Sequence, residues 1–106
     1  MPQADLYYSQ DLALDAAALL RDFETIIHDH DPSSGACKGR AFAVAETHHC
    51  HVLLQVALLE KPHRTPAFLT ALQDKLAKRI AQGLPSPTAL GVELRFLSPH
   101  YLTIEV

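Results

Sequence analysis

The residues best suited to chemistry stand at the start of the sequence, which opens Met1-Pro2. Methionine aminopeptidase removes a leading methionine when the next residue is small, and proline qualifies, so the expected product begins with the secondary amine of Pro2. An ordinary α-amine titrates near ~8 and is largely protonated at neutral pH. Burial in an apolar pocket, or nearby cations, would disfavour the charged form and turn this nitrogen into a general base. Many chains begin Met-Pro, so the motif alone is a weak signal. Its weight comes from what the rest of the chain sets beside it.

Cations are the first such partners. Lys38 and Arg40 alternate along an extended stretch and therefore share a face, where both can point at one anionic ligand. Arg40 can grip a carboxylate through two parallel hydrogen bonds, which a lysine cannot copy. The competing reading takes Lys38 and Arg64 as solvated loop charges. The histidines offer a rival chemistry. His48-His49-Cys50-His51 is conspicuous, with His28, His30, His63 and His100 elsewhere. A structural zinc needs four imidazole or thiolate ligands. On an extended strand His49 and His51 converge while His48 and Cys50 point away, and no second ligand pair stands at a zinc spacing. The cluster reads as a polar turn, with no metal expected. Cys37 reads as a small buried residue rather than a reactive thiol.

The elements that must position these groups follow from periodicity. Ala4, Leu6 and Tyr8 alternate with Gln3, Asp5 and Tyr7, predicting a half-buried strand over Gln3 to Ser9. From Leu12 the period changes to that of a helix through Ala16, Leu19, Leu20, Phe23, Ile26 and Ile27, with caps expected in Ser9-Gln10-Asp11. Pro32 ends it. Lys38 to Ala45 predicts a second strand, with Phe42 and Val44 beside Lys38 and Arg40 and only small residues opposite. His51 to Leu59 is apolar on both faces, as in a central strand covered from both sides. Thr65 is the expected N-cap of a second helix that has Pro66 at its first position, carries Phe68, Leu69, Leu72, Leu76 and Ile80, and leaves Gln73 and Lys75 in solvent. Gly83 stops it. Gly91 to Ser98 alternates again, and the tail Tyr101 to Val106 could pair as an edge strand.

The order is thus βαβ twice, in halves of about 2–46 and 50–98, within a single domain over 1–106 and with a tail at 99–106. The fold class is α/β (α+β): a four-stranded sheet with two helices on one face, since right-handed crossovers place both helices together. The other face is left bare, yet the third strand is apolar there too. In a chain of 106 residues the expected cover is another subunit, which makes the chain a homo-oligomer.

Met1-Pro2, Tyr8-Ser9, Lys38-Gly39-Arg40, the His51 to Glu60 strand leading into His63-Arg64-Thr65, and Val92-Glu93-Leu94-Arg95 follow one another in the order and spacing of a known family. In these short motifs the sequence resembles the tautomerase superfamily, and within it the 5-carboxymethyl-2-hydroxymuconate isomerase group. The resemblance implies trimers of β-α-β-β-α-β subunits. It implies cofactor-independent isomerisation of a small unsaturated keto or enol carboxylic acid, from aromatic-compound catabolism, with Pro2 as catalytic base and acid. Arg40, Lys38 and Arg64 match the positions that bind substrate carboxylates. The alternative is a non-catalytic trimeric member that binds a small anion or a protein partner.

Composition bounds the rest. The sequence has 106 residues, 48% of them hydrophobic and 20% charged, as in one globular domain with one core. A formal net charge of −3 argues against nucleic acid and anionic membranes as partners. No apolar run approaches the ~20 residues that span a bilayer. Two cysteines without a framework, and no signal-peptide pattern, lead us to expect a cytoplasmic protein with reduced thiols.

Overall fold

The computed structural model describes all 106 residues. Six elements follow one another: β1 (Gln3–Ser9), α1 (Ala16–His30), β2 (Lys38–Val44), β3 (His51–Leu58), α2 (Pro66–Ala81) and β4 (Ala89–Phe96). The strands form one mixed sheet in the order β2-β1-β3-β4. β1 runs parallel to β2 and antiparallel to β3, and β3 runs parallel to β4. This is the predicted fold, with the two βαβ units joined through their first strands.

One apolar layer holds it together. Ala4 and Leu6 of β1 and Val52, Leu54, Val56 and Leu58 of β3 meet Leu19, Phe23 and Ile27 of α1 and Leu72, Leu76 and Ile80 of α2. The inner strands β1 and β3 supply every fully buried strand residue of this core, while the edge strands add only half-buried side chains such as Ala41 and Leu90. Both helices lie on one face, as the handedness of the crossovers requires. Gly39 permits the close approach of α1 to β2, because a Cβ there would sit 3.1 Å from Leu20 Cδ2.

Three expectations shift. The first helix begins at Ala16, not near Leu12, because Leu12 donates to the Ser9 carbonyl in a turn and Asp15 is the residue whose carboxylate caps the Ala18 N–H at 3.1 Å. Leu12 and Leu14 still pack on the core, from the loop. Gln73 is not simply solvated: its amide donates to the Val92 carbonyl at 2.7 Å and ties α2 to β4. The tail after Phe96 forms no strand within this chain. The second helix starts as predicted, with the Thr65 hydroxyl accepting from Phe68 N–H and Pro66 at the first position.

The uncovered face of the sheet is organised in rows. Phe42, Tyr7, Leu53 and Gly91 are register partners across all four strands, and the rings of Tyr7 and Phe42 stack 4.8 Å apart. The next row is Arg40, Asp5, Gln55 and Glu93, and the one after it Lys38, Gln3, Ala57 and Arg95.

Phe23 is fully buried between the helices and the sheet. Truncation by Phe23→Ala is expected to cost about 3–5 kcal/mol of unfolding free energy, measured by urea denaturation.

Candidate active site

Pro2 is buried and stands one residue ahead of β1, an inner strand. Its carbonyl accepts the Lys38 N–H at 2.9 Å, so the start of β1 and the start of β2 are locked side by side. Met1 lies half-buried against Gly35, its Cγ 3.5 Å from where a Cβ would stand on that residue. The parallel register then sets Gln3 beside Lys38 and Asp5 beside Arg40. The sequence-level inference that Lys38 and Arg40 share a face next to the first strand therefore holds in three dimensions.

The two cations are not equivalent. Arg40 is half-exposed and already engaged: its Nε pairs with Asp5, Nη1 and Nη2 donate to Gln3 Oε1 at 3.0 and 2.7 Å, and Nη2 also reaches the Lys38 carbonyl at 3.4 Å. The other end of the Gln3 amide donates to the Tyr101 hydroxyl at 2.9 Å. Asp5, Arg40, Gln3 and Tyr101 thus form one polar chain that orients the guanidinium and anchors the tail. Lys38 is exposed and makes no ion pair.

Arg64 has a different occupation from the one read in the sequence. It is buried, its Nε and Nη2 each donate to Asp31 Oδ2 at 2.8 Å, and Nη1 donates to the Leu59 carbonyl at 2.6 Å. The carboxylate it binds is its own chain's. Asp31 follows α1 and also accepts from Ser33 Oγ at 2.6 Å and contacts His63 Nε2 at 3.0 Å. Burial pushes the Asp31 carboxyl up, but the hydrogen bonds from Ser33, His63 and Arg64, with the charge of Arg64, outweigh it and hold the group well below the usual carboxylate range. Arg64 also walls a shallow groove with Glu60, Lys61, Pro62, Pro66 and Phe96.

The remaining titratable candidates fall away from this cluster. Burial first, and the Glu24 carboxylate second, push the Cys37 thiol up to about 11, so it stays protonated at neutral pH. His51 Nδ1 contacts the His49 carbonyl at 2.8 Å, in a turn where His49 adopts a positive φ of 63°. This turn is tied to the far end of β1, where the His51 N–H donates to Ser9 Oγ at 3.1 Å. No three His, Cys, Asp or Glu side chains cluster closely enough to hold a metal ion. His30 contacts the Phe68 carbonyl at 3.0 Å and Lys75 Nζ at 3.0 Å.

One cation was not singled out in the sequence. Arg95 is exposed, makes no ion pair, and closes the row Lys38-Gln3-Ala57-Arg95, directly after Pro2. The alternation of Val92 and Leu94 with Glu93 and Arg95 was the signal, but only the strand order puts Arg95 in the same row as Lys38.

Known proteins place the fold. No family model matches the sequence, and no curated protein matches it. Solved structures do. The macrophage migration inhibitory factor-like protein of Entamoeba histolytica superposes with a TM-score of 0.70 at 9% identity, over 98% of this chain and 95% of that one. A fused 4-OT described as a wild-type symmetric trimer gives 0.73 at 11%, over 97% and 93%. N1, a member of the cis-3-chloroacrylic acid dehalogenase family, gives 0.70 at 15%, over 96% and 79%. These are members of the tautomerase superfamily, and the chain has their fold. No helix is long and apolar enough to cross a membrane.

Breaking the Asp31 pair should be costly. Asp31→Ala leaves the Arg64 guanidinium buried without its carboxylate, and a loss of about 3–5 kcal/mol is expected. The native pKa of Asp31 lies below its ordinary value of 3.8, so the folded state binds this proton less tightly than the unfolded chain. The stabilisation is complete above about pH 5 and is lost as the pH falls towards the native pKa. Urea titrations at pH 7 and pH 3 should show wild type losing more stability than Asp31→Ala on acidification.

Proposed function

We propose that this protein is a cofactor-independent isomerase or tautomerase acting on a small unsaturated keto or enol carboxylic acid, with Pro2, freed by removal of Met1, as the proton shuttle. The observation that carries this reading is the place of Pro2, buried at the mouth of an inner strand and locked to Lys38, the free cation that begins the row ending in Arg95. In the neutral amine the nitrogen lone pair takes the enol proton, the oxygen electrons form the carbonyl, and the double-bond pair collects a proton at carbon from the ammonium just formed. Burial and the positive charge of Lys38 and Arg40 favour the neutral amine that begins this cycle.

Lys38 and Arg40 receive the substrate carboxylate and carbonyl in this proposal. Lys38 serves as a free point charge and Arg40 as a guanidinium already oriented by Asp5 and Gln3. Arg64 contributes as a fixed buried charge, since Asp31 fills the place a substrate carboxylate would take. The assembly is a homotrimer: the apolar row of Phe42, Tyr7 and Leu53 on the bare face supports self-association, as does the fused 4-OT described as a symmetric trimer. One observation favours the second reading, a non-catalytic anion binder. The ion pair with Asp5 already neutralises Arg40.

Enol-to-keto conversion of phenylenolpyruvate and 2-hydroxymuconate by wild type and Pro2→Ala separates the two. The substitution keeps a primary amine and a removable methionine. A fall of about tenfold or more, ~1.4 kcal/mol of transition-state stabilisation, is expected. An unchanged rate, or an intact mass that retains Met1, would leave the anion-binding reading in its place. Lys38→Ala should raise KM about tenfold with a smaller change in kcat, as expected when a ground-state carboxylate contact is removed.

A further inference from the structure

One hydroxyl beside the candidate site is only half used. Gln3 stands between Arg40 and Tyr101, its Oε1 accepting from Arg40 Nη1 and Nη2 at 3.0 and 2.7 Å. A guanidinium has donors and no acceptor, so the Gln3 oxygen must face it. The amide nitrogen therefore faces Tyr101 and donates to the phenolic oxygen at 2.9 Å. That bond leaves the phenol's own proton unspent, and no acceptor in the chain takes it. Tyr101 thus holds a free hydrogen-bond donor on a half-buried side chain.

Its place follows from the fold. After β4, Leu97 N–H bonds to the Leu58 carbonyl at 2.7 Å and the chain turns, with Tyr101 N–H donating to the Ser98 carbonyl at 3.1 Å. To meet Gln3 of β1 from beyond β4, the ring crosses β3 on the face without helices. β3 places Ala57 in this row, between Gln3 and Arg95, and Ala57 is only 4% exposed there. A small side chain at that position leaves the room a ring needs. The hydroxyl ends on the face of Lys38 and Arg40, against the residue that follows Pro2.

We propose that the Tyr101 hydroxyl is a second catalytic group, donating a hydrogen bond to the substrate oxygen that becomes the carbonyl, a role that rests on Pro2 as the proton shuttle. When Pro2 takes the enol proton, the oxygen carries negative charge until its electrons form the carbonyl and carbon is protonated. The Tyr101 O–H stabilises that charge, and its own proton stays on the phenol, so Pro2 alone carries the transferred one. The donor is set before substrate arrives, because Asp5 holds Arg40, Arg40 holds Gln3 and Gln3 holds the phenol. Accepting the Gln3 bond also polarises the O–H and strengthens it as a donor. Only the Gln3 amide separates the guanidinium from the hydroxyl, a gap comparable to an α-keto carboxyl group. A carboxylate on Arg40 and Lys38 thereby brings the reacting oxygen alongside Tyr101.

Steady-state conversion of phenylenolpyruvate tests this in wild type, in Tyr101→Phe, and in a chain whose position 101 alone carries a tyrosine fluorinated beside its hydroxyl. Fluorine withdraws electrons, which makes the O–H a better donor and its oxygen a worse acceptor. A donor to substrate and a mere prop for Gln3 therefore respond in opposite directions. At about pH 6, where phenols remain protonated, Tyr101→Phe should lower kcat about tenfold or more with a smaller change in KM. The fluorinated chain should raise kcat about twofold. An unchanged kcat in Tyr101→Phe, or an unchanged or lower one in the fluorinated chain, would overturn the donor role and leave the proton shuttle standing. A wild type that converts no enol would overturn both. If Tyr101→Phe melts below wild type by circular dichroism, the fluorinated chain, which keeps every contact, decides alone.

Discussion

The apolar seam between β1 and β3 on one side and the two helices on the other is the interaction on which the rest of this structure depends. It is built from short alternations, Ala4 and Leu6 in β1 and Val52 to Leu58 in β3, against single stripes on α1 and α2. Because the seam needs both inner strands, β1 is held at the centre of the sheet, and the residue before it is buried with it. A secondary amine at a loose chain end would be an ordinary solvated base. At the head of an inner strand Pro2 is buried beside the groups that begin the neighbouring strand, the setting that the proton shuttle proposed above requires once Met1 is removed.

A second constraint operates at the same end of the sheet. The segment after α1 and the segment after β3 must meet there, and they meet through a buried ion pair, Asp31 with Arg64, supported by Ser33, His63 and the Leu59 carbonyl. A buried guanidinium is tolerated only when its donors are matched, and here the chain supplies the match itself. The candidate cations not buried in this way are those on the strand face. Arg40 is held in one orientation by Asp5 and Gln3, and Lys38 and Arg95 stand free at the two ends of the adjoining row.

A sheet covered on one face only also explains why this chain carries apolar groups that its own fold leaves partly in water. Exposed Phe42 and half-buried Tyr7 and Leu53 line up across the bare face, and the tail repeats the pattern of a strand without having a strand's partners. Both features are unfavourable in an isolated protomer, and the self-association proposed above would cover the apolar row. The tail is anchored where the Tyr101 hydroxyl meets the Gln3 amide, beside Arg40.

The elements, their order and the two helices on one face were legible in the sequence alone, because periodicity is local: alternation in β1 and β4, helical stripes through Phe23 and Leu76, and the Thr65 cap all lie within a few residues. It was equally legible that Lys38 and Arg40 share a face, since that follows from strand geometry alone. What the sequence could not carry were relations between distant segments. That Asp31 would claim Arg64, that Asp5 and Gln3 would claim Arg40, and that Arg95 would stand in line with Lys38 are consequences of strand order and loop closure across separations of about thirty to sixty residues. A side chain's charge is legible in sequence. Whether that charge is free or already matched is decided by the partner that tertiary structure brings to it.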